Sequence, residues 1–491
     1  MTRTALLPFA AIKELRALWL AWLAIVVWIV ASDVLAFPPL IGMATYFLGA
    51  VVLGALSVGH EYSHHTLALL LSQPARRERV LLVKLGVLAA MLLALAAVAH
   101  LVAFRHIRAP ESEKLAAFVL PVVGGLFVAP WLTMVCRNPL GGAVFTLVIP
   151  GVLHVIGDLL GLGMYARSAE ADRLRMGILS WGAISFCVLG AVMTWRMFRR
   201  LEAIDGRGPD VRLPQWLRWR TTTRTETTAF RNRHPLWLLA TKELRLQQLA
   251  FVVAGLYVLG SLGVVSLSRL TPQQSAVFDV LTTFYALLIA VLIGSLASAE
   301  ERQLGTLAWQ LLLPIATAKQ WAVKVAIAFG LALPLALGLP ALMAFLHPTA
   351  DMIRFSEHVF QPPVMVAVIL LIAVSLYVSS LCTSGLWTLL ISVPAIFGAT
   401  QFVKFLGDEL GPRVFGVFRL IAIGGADQIP FKSLIALLLT GFLVLILRFG
   451  LINHRSTERP AGRVSKQVIW MAAYVTLGVV LVTGLAGLTA H

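Results

Sequence analysis

Charged residues and cysteines are scarce in this sequence. Only 13% of its 491 residues are charged, whereas 59% are hydrophobic, and its mean hydropathy is +0.87. A soluble domain could not bury so much apolar surface, so the composition excludes an ordinary soluble protein. The three cysteines lie in or beside apolar runs, and no disulfide framework is therefore expected.

A phosphate-binding loop is also missing. The chain contains no G-x-x-x-x-G-K-[ST] pattern and no Gly-Lys pair, so we do not expect it to hydrolyse ATP, to act as an enzyme or to carry a cofactor. Its net charge of +17 is typical of some nucleic-acid-binding proteins. Basic residues gathered on the cytoplasmic side of a membrane explain that charge more simply, and no nucleic-acid partner is expected.

The sequence does contain a long series of apolar runs of about 20 residues, which are typical of membrane-spanning helices. We therefore expect an all-α polytopic integral membrane protein. Its predicted parts are a first half (1–195), a basic cytoplasmic linker (196–234), a second half (235–450), and a basic loop with a C-terminal span (451–491). Thirteen spans are predicted, near 17–37, 40–58, 80–104, 115–135, 140–162, 176–195, 249–267, 277–298, 320–346, 363–382, 386–406, 431–448 and 468–488.

The distribution of positive charge predicts the topology. Most of the 40 lysine and arginine residues fall on one side when the N-terminus and the linker are cytoplasmic. This predicts a multi-pass protein of the cell (inner) membrane with a cytoplasmic N-terminus. Because each half has an even number of spans, both halves start from the same side. We therefore expect two parallel six-helix repeats related by a pseudo-twofold axis, plus one extra C-terminal transmembrane helix.

The clearest internal repeat is a 26-residue segment, Gly59–Lys84, which returns as Ala299–Lys324 at an offset of 240 residues. We call these segments the first and second elbows. Composition alone would give about two identical positions in such a comparison. Eight are identical: Glu61/Glu301, Thr66/Thr306, Leu67/Leu307, Ala68/Ala308, Leu71/Leu311, Pro74/Pro314, Val83/Val323 and Lys84/Lys324.

Each elbow combines a short apolar helix with a proline that ends it. Such a helix is too short to cross a membrane and too apolar to remain bare in water. A single copy would be typical of an ordinary interfacial helix, but duplication in register favours contact with a soluble partner. The basic residues after the first proline are expected to meet the anionic membrane surface: Arg76, Arg77, Arg79 and Lys84.

A second repeat precedes the first span of each half. Lys13-Glu14-Leu15-Arg16 recurs as Lys242-Glu243-Leu244-Arg245. Residues Pro8–Arg16 are predicted to form a short interfacial helix whose Lys-Glu-Arg cluster faces water, and Trp237–Gln247 are predicted to form the corresponding interfacial helix of the second half. Because this segment recurs inside the chain, we interpret its first copy as structural rather than as a cleaved signal peptide.

With these helices, the elbows resemble the permease family of type-2 ABC transporters, up to about residue 450. The resemblance implies a fused pair of permease halves, working as an exporter with two separate ABC ATP-binding subunits. The thirteenth span departs from the family pattern, and nothing in the sequence identifies the transported substrate. The resemblance assigns connecting helices to Lys13, Glu14, Arg16, Lys242, Glu243 and Arg245, and ATPase coupling to Glu61, Thr66, Leu67, Leu71, Pro74, Glu301, Thr306, Leu307, Leu311 and Pro314.

A competing motif overlaps the first elbow. His60-Glu61-Tyr62-Ser63-His64 fits H-E-x-x-H, in which two histidines bind zinc and the glutamate is a general base, so an intramembrane zinc metalloprotease is the alternative function. His154 or Asp158 would have to supply the third ligand. However, the second elbow keeps the glutamate as Glu301 without either histidine, so the repeat explains Glu61 without a metal.

Overall fold

The computed structural model describes residues 6–34, 39–63, 66–72, 76–106, 111–149, 151, 169–201, 235–267, 274–346, 360–399, 408, 431–456 and 461–489. Helix accounts for 92% of this part of the chain, and no strand occurs in it. The expectation of an all-α protein is therefore confirmed.

Eighteen α-helices are named in chain order within the described residues. Short π-helical turns at Gly124–Val128 and Pro334–Gly338 join α5 to α6 and α13 to α14. The helices are α1 (Leu6–Val34), α2 (Pro39–Ser63), α3 (Leu67–Leu71), α4 (Arg77–Val102), α5 (Glu111–Val123), α6 (Ala129–Cys136), α7 (Pro139–Ile149), α8 (Ala169–Arg199), α9 (Pro235–Leu246), α10 (Gln248–Leu267), α11 (Gln274–Gln303), α12 (Thr306–Leu311), α13 (Thr317–Leu333), α14 (Leu339–Phe345), α15 (Pro362–Leu381), α16 (Gly385–Ala399), α17 (Phe431–His454) and α18 (Ala461–Thr489).

Among the described residues, ten helical segments are long and apolar enough to cross a membrane, and the bent pair α9–α10 raises the number to eleven if it counts as one span. The chain is therefore a multi-pass membrane protein. Two shorter apolar helices, α7 and α16, begin where the spans 140–162 and 386–406 are predicted. The remainder of both spans lies outside the described residues, so the count of thirteen stays a prediction.

The described helices cluster into two compact units. Unit 1 contains α1–α8, together with α10 and the part of α11 up to Tyr285. Unit 2 contains α9, the part of α11 from Ala286 onward, α12, α13 and α15–α18. Unit 2 begins close to the predicted boundary at residue 235, but α10 and the part of α11 up to Tyr285, which belong to the predicted second half, are in unit 1. The division into domains therefore stays a prediction.

The start of the first half differs from the expectation. A separate interfacial helix over Pro8–Arg16 is wrong, because α1 runs without a break from Leu6 to Val34. No glycine or proline occurs between Arg16 and Val34, so nothing in the sequence ends the helix there. The second half does have a separate short helix, because α9 ends at Leu246 and the chain bends before α10 begins.

The tight turns predicted at residues 136–139 and 382–385 are both present. In the first, Arg137 has a left-handed backbone (φ 52°), and Asn138 Oδ1 accepts the backbone N–H of Leu140 at 2.8 Å. In the second, α15 ends at Leu381 and α16 begins at Gly385. The Asn138 cap satisfies a backbone N–H at the start of α7 that would otherwise lack a partner. Burial raises the pKa of the Cys382 thiol in this turn to about 11, so it is a protonated packing residue rather than a nucleophile.

Close contact between small residues holds the second membrane helix of each half. A side chain at Gly54 on α2 would overlap the carbonyl oxygen of Gly125. A Cβ atom at Gly294 on α11 would lie 2.6 Å from Ser375 Cβ on α15, so that position also excludes a side chain. Ser375 Oγ donates to the backbone oxygen of Val291 at 2.7 Å across the same contact. Small residues and hydroxyl groups of this kind allow membrane helices to approach closely.

We expect Gly54→Val to destabilise the protein, because the added side chain forces α2 away from the π-helical turn at Gly125. Overpacking of this kind costs roughly 1–3 kcal/mol or more. The measurement is the melting temperature of the purified protein in detergent, with Gly86→Val as the control, since Gly86 on α4 has no atom within 4 Å of its position for a side chain. Equal melting temperatures for the two variants would contradict the described contact.

Candidate functional site

The glutamate at the start of the first elbow is buried and fully engaged. Glu61 lies in the last turn of α2 and is 1% exposed. Its Oε1 accepts from Lys13 Nζ at 3.1 Å and from Lys84 Nζ at 3.3 Å. Its Oε2 accepts a hydrogen bond from the Thr66 hydroxyl. The carboxylate therefore ties the end of a membrane helix to α1, to α4 and to the elbow itself.

Lys84, on α4, completes a four-membered ion network. Its ammonium donates to both carboxylate oxygens of Glu14, at 2.8 and 2.7 Å. It also donates to the backbone oxygen of Ser57 at 3.2 Å. Lys13, Glu14, Glu61 and Lys84 thus form one cluster, which we call the first tetrad. It contains two cations and two anions, and it joins α1, α2 and α4.

The second elbow has the same arrangement. Lys324 Nζ lies 2.7 Å from Glu243 Oε1 and 2.7 Å from Glu301 Oε1, and it donates to the backbone oxygen of Ala297 at 3.0 Å. Lys242 contacts the same Glu301 oxygen. Lys242, Glu243, Glu301 and Lys324 form the second tetrad, which joins α9, α11 and α13.

The two tetrads agree even in a backbone contact. The carbonyl groups that accept from Lys84 and Lys324 belong to Ser57 and Ala297, which are again 240 residues apart. The sequence identified all eight tetrad residues as members of repeats. It did not indicate that the Lys-Glu pair of the first repeat would contact the glutamate and the lysine of the elbow. Arg16 and Arg245, which were predicted in the same connecting helices, are exposed and belong to neither tetrad.

Two sequence expectations about these charges need correction. The Lys-Glu-Arg cluster of the first connecting helix was expected to face water, and Lys13 and Arg16 are exposed, but Glu14 is only 7% exposed. Its counterpart Glu243 is 2% exposed. Lys84 was expected at the membrane surface, but it is 2% exposed. The reason is that each carboxylate and each elbow lysine has a partner of opposite charge on another helix. Periodicity within one helix does not show such partners.

Buried ion pairs hold geometry more than they add stability. Removing a carboxylate or an ammonium from water costs several kcal/mol, which the pairing offsets only when all partners are in place. Lys84 and Lys324 are buried, whereas the side chains of Lys13 and Lys242 are 52% and 38% exposed. Each tetrad therefore has a buried centre and one lysine at its solvent edge.

In the first elbow, the short helix α3 packs on the core of unit 1. Leu70 is buried in a cluster with Val58, Leu81, Met134 and Phe198, and Leu67 packs against that cluster. Leu69 points outward and is 68% exposed. The predicted contact residue Pro74 and the motif residue His64 lie outside the described residues. Leu71 lies in α3, but its side chain is not described.

In the second elbow, α12 is held by polar contacts instead. Gln310 Oε1 accepts from Lys242 Nζ at 2.6 Å, which attaches α12 directly to the second tetrad. The backbone oxygens of Gln310 and Ile315 accept from the buried Gln320 amide at 3.1 and 2.9 Å. Thr306 Oγ1 is 3.4 Å from the backbone oxygen of Glu301, a longer contact than that made by Thr66.

The exposed surface of α12 and of the two residues that follow it is strongly apolar. Trp309 is 75% exposed, Leu312 77% and Leu313 45%. By contrast, the predicted contact residue Leu307 is only 4% exposed, Leu311 is half-buried, and Pro314 is exposed. The sequence predicted an exposed apolar helix without indicating which face is outward. Helical spacing places Leu307 and Gln310 on one face and Trp309 and Leu312 on another, but it does not show which of the two faces packs against the rest of the unit.

The geometry around Glu61 disfavours the zinc alternative. A general base needs a carboxylate oxygen directed at a water molecule, but Lys13, Lys84 and Thr66 already occupy both Glu61 oxygens. His60 is half-buried, while His154 and Asp158 lie outside the described residues. Within the described part of the chain, no three histidine, cysteine or carboxylate side chains are grouped so that they could hold a metal ion.

We expect Lys84→Met to lower the free energy of unfolding by about 3–5 kcal/mol, because it removes the lysine partner of the buried Glu14 carboxylate and leaves the buried Glu61 carboxylate with only the half-exposed Lys13. Arg199→Met is the matched control, since it removes a cation from the exposed pair with Glu78 and should cost no more than about 1 kcal/mol. Unfolding of the purified protein in detergent measures both values. Adding Glu14→Gln and Glu61→Gln to Lys84→Met should recover part of the loss, and a Lys84→Met loss no larger than that of the control would contradict the buried tetrad.

The chain was also compared with models of known protein families, with curated proteins and with solved structures. None of these three comparisons finds a match. A function for this chain therefore has to be argued from the tetrads and the elbows themselves.

Proposed function

We propose that this chain is the transmembrane permease component of an ATP-driven transporter, an exporter, and that two separate ABC ATP-binding subunits drive it through the two elbows. One observation carries the proposal. In each unit, a short helix outside the membrane-spanning segments is joined by a buried ion tetrad to three longer helices. This arrangement is suited to passing a displacement of the elbow into the membrane.

The tetrads support mechanical coupling because they attach the elbows to the membrane helices through side-chain contacts as well as through the backbone. In the second elbow, Lys242 touches Glu301 at the end of α11 and Gln310 in α12. Lys324 continues the network into α13. A push on α12 would therefore move the ends of α9, α11 and α13 together. Glu61 and Glu301 are too deeply buried to touch a partner, so in this proposal they position the elbows rather than bind the ATPase.

The exposed elbow residues supply the contact itself. Trp309 and Leu312 lie between the candidate spans Leu281–Gln303 and Thr317–Phe345, so the membrane segments do not account for their exposure. Exposed apolar clusters usually mark interfaces, and tryptophan is enriched among residues that dominate binding energy. Leu69 is the corresponding exposed residue in the first elbow.

The remaining features of the proposal follow from the sequence. They are two parallel six-helix repeats, a pseudo-twofold axis along the membrane normal, a cytoplasmic N-terminus and location in the cell (inner) membrane. The matching tetrads and the Gly54 and Gly294 contacts support a repeat. The proposed mechanism is alternating access, in which ATP-driven closure of the partner subunits moves both elbows and tilts the attached helices.

The direct test of this proposal is gentle purification of the full chain from its native membranes, followed by identification of the proteins that accompany it. The expected result is a stoichiometric ATP-binding protein whose ATPase activity changes when the permease is present. A chain that purifies alone and transports in proteoliposomes without ATP would overturn the proposal in favour of an ion-driven carrier. Stoichiometric zinc that is lost in His64→Ala would instead favour the protease.

We expect Leu69→Ala combined with Trp309→Ala to weaken binding of the ATP-binding subunits by roughly 30-fold or more, which corresponds to about 2 kcal/mol for the loss of a buried interface anchor. The melting temperature of the isolated chain should stay near that of the wild type, because both side chains are exposed. Co-purification yield and the ATPase activity of the complex are the measurements.

Trp181→Ala is the matched control for this variant. Trp181 is also a largely exposed tryptophan, 71% against 75% for Trp309, but it lies in the span Trp181–Arg199 rather than in an elbow. The control should retain the ATP-binding subunits. If both variants retain them equally, the elbows are not the docking sites.

A further inference from the structure

Six arginines lie together at one end of α4 and α8 in unit 1. Arg77 fixes the two helix ends, because its guanidinium donates to the backbone oxygens of Arg199 and Leu201 at 2.9 and 2.7 Å. Arg199 in turn pairs with Glu78 at 3.2 Å, and the two side chains are 57% and 45% exposed. We call the exposed guanidinium groups at this point the arginine patch: Arg76, Arg77, Arg79, Arg196, Arg199 and Arg200.

Within the described residues of these two helix ends, 76–79 and 196–201, Glu78 is the only acidic residue beside six arginines, so this part of the surface is strongly positive. Arg76, Arg79, Arg196 and Arg200 are exposed and have no carboxylate partner among the described residues. Like charges held close together repel, so such a cluster is stabilised by a bound anion. These four guanidinium groups, which no carboxylate of the described residues contacts, are therefore the part of the patch that can bind a ligand.

An exposed apolar surface lies directly next to the patch along the same two helices. Leu82 on α4 is 58% exposed, and on α8 Val188 is 57%, Leu189 43% and Val192 42% exposed. Both helices are candidate membrane spans, Arg77–Val102 and Trp181–Arg199, and the arginines stand at the ends of these spans. The surface thus has a cationic part at the membrane boundary and an apolar part at membrane depth.

The second elbow lacks part of this charge. At the offset of 240 residues, Ala316 and Thr317 occupy the positions of Arg76 and Arg77, while Lys319 keeps the positive charge of Arg79. The second elbow nevertheless forms its short helix and its tetrad. The local structure of an elbow therefore does not require the charges of Arg76 and Arg77.

We propose that the arginine patch and the apolar surface beside it form a binding site for an anionic phospholipid of the adjacent leaflet. Guanidinium groups bind phosphate oxygens in pairs and with defined geometry, and basic clusters between membrane helices bind lipid headgroups with several negative charges. The acyl chains lie along α4 and α8, where a soluble anion or a soluble protein would leave the apolar side chains uncovered. This inference depends on the membrane location of the chain and not on its coupling to an ATPase.

The test uses the full chain purified in a neutral detergent and titrated with cardiolipin, phosphatidylglycerol or phosphatidylcholine. Native mass spectrometry measures lipid binding, and melting temperature gives an independent readout. We expect cardiolipin to bind most tightly and to raise the melting temperature. The variant Arg76→Gln, Arg79→Gln, Arg196→Gln, Arg200→Gln should bind it about 10²-fold more weakly or worse, since each basic residue near an anionic surface contributes roughly five-fold. Arg77 is retained because it joins the helix ends, and Arg199 is retained because its guanidinium is paired with Glu78.

The control is Arg16→Gln, Arg245→Gln, Lys319→Gln, Arg455→Gln, which removes the same charge from exposed positions outside the patch. It should keep nearly all of the cardiolipin affinity. Equal losses in both variants would overturn the proposal, because binding would then follow net charge alone. Inorganic phosphate that stabilises the protein as much as the lipid does would also overturn it, and would assign the patch to a soluble anion. If the fourfold variant does not fold, Arg76→Gln with Arg200→Gln provides the same comparison, with a loss of at least about ten-fold expected.

Discussion

A lysine ammonium buried at the base of a membrane helix is the constraint on which each unit depends. Lys84 and Lys324 are almost completely shielded from solvent, and an ammonium in that position is tolerated only when carboxylates surround it. One carboxylate comes from the end of the preceding membrane helix, and the other comes from α1 in the first unit and from α9 in the second. The need to neutralise one charge thus fixes the relative positions of three helices within a unit.

The same constraint explains why two very short helices persist. Helices of five and six residues, such as α3 and α12, are not stable by themselves because forming the first turn is costly. The first is held by the Thr66–Glu61 contact and by burial of Leu70, and the second by Lys242 and Gln320. The two elbows therefore reach a similar local structure by different means, one mainly apolar and the other mainly polar.

The sequence predicted much of this structure but not its interactions at a distance. Apolar runs predicted the helical membrane protein, and the repeat identified Glu61, Lys84 and their counterparts. The ion pairs themselves join residues 48 and 70 positions apart, as with Lys13–Glu61 and Lys84–Glu14, and one sequence without an alignment carries no signal for such pairs. The outward face of α12 was also unpredictable, because in six residues the orientation depends on contacts made by neighbouring helices rather than on local periodicity.

The uninterrupted first helix gives the two halves different mechanical properties. Lys13 and Glu14 belong to a single rod of 29 residues, about 44 Å long at 1.5 Å per residue, so any displacement of the first tetrad acts on the whole of that rod. In the second half, the tetrad residues lie on a helix of 12 residues, about 18 Å long, which ends at a joint. A force of equal size applied at the two elbows would therefore tilt a whole membrane-spanning helix in the first half. In the second half it would rotate only the short helix α9 about its bend with α10.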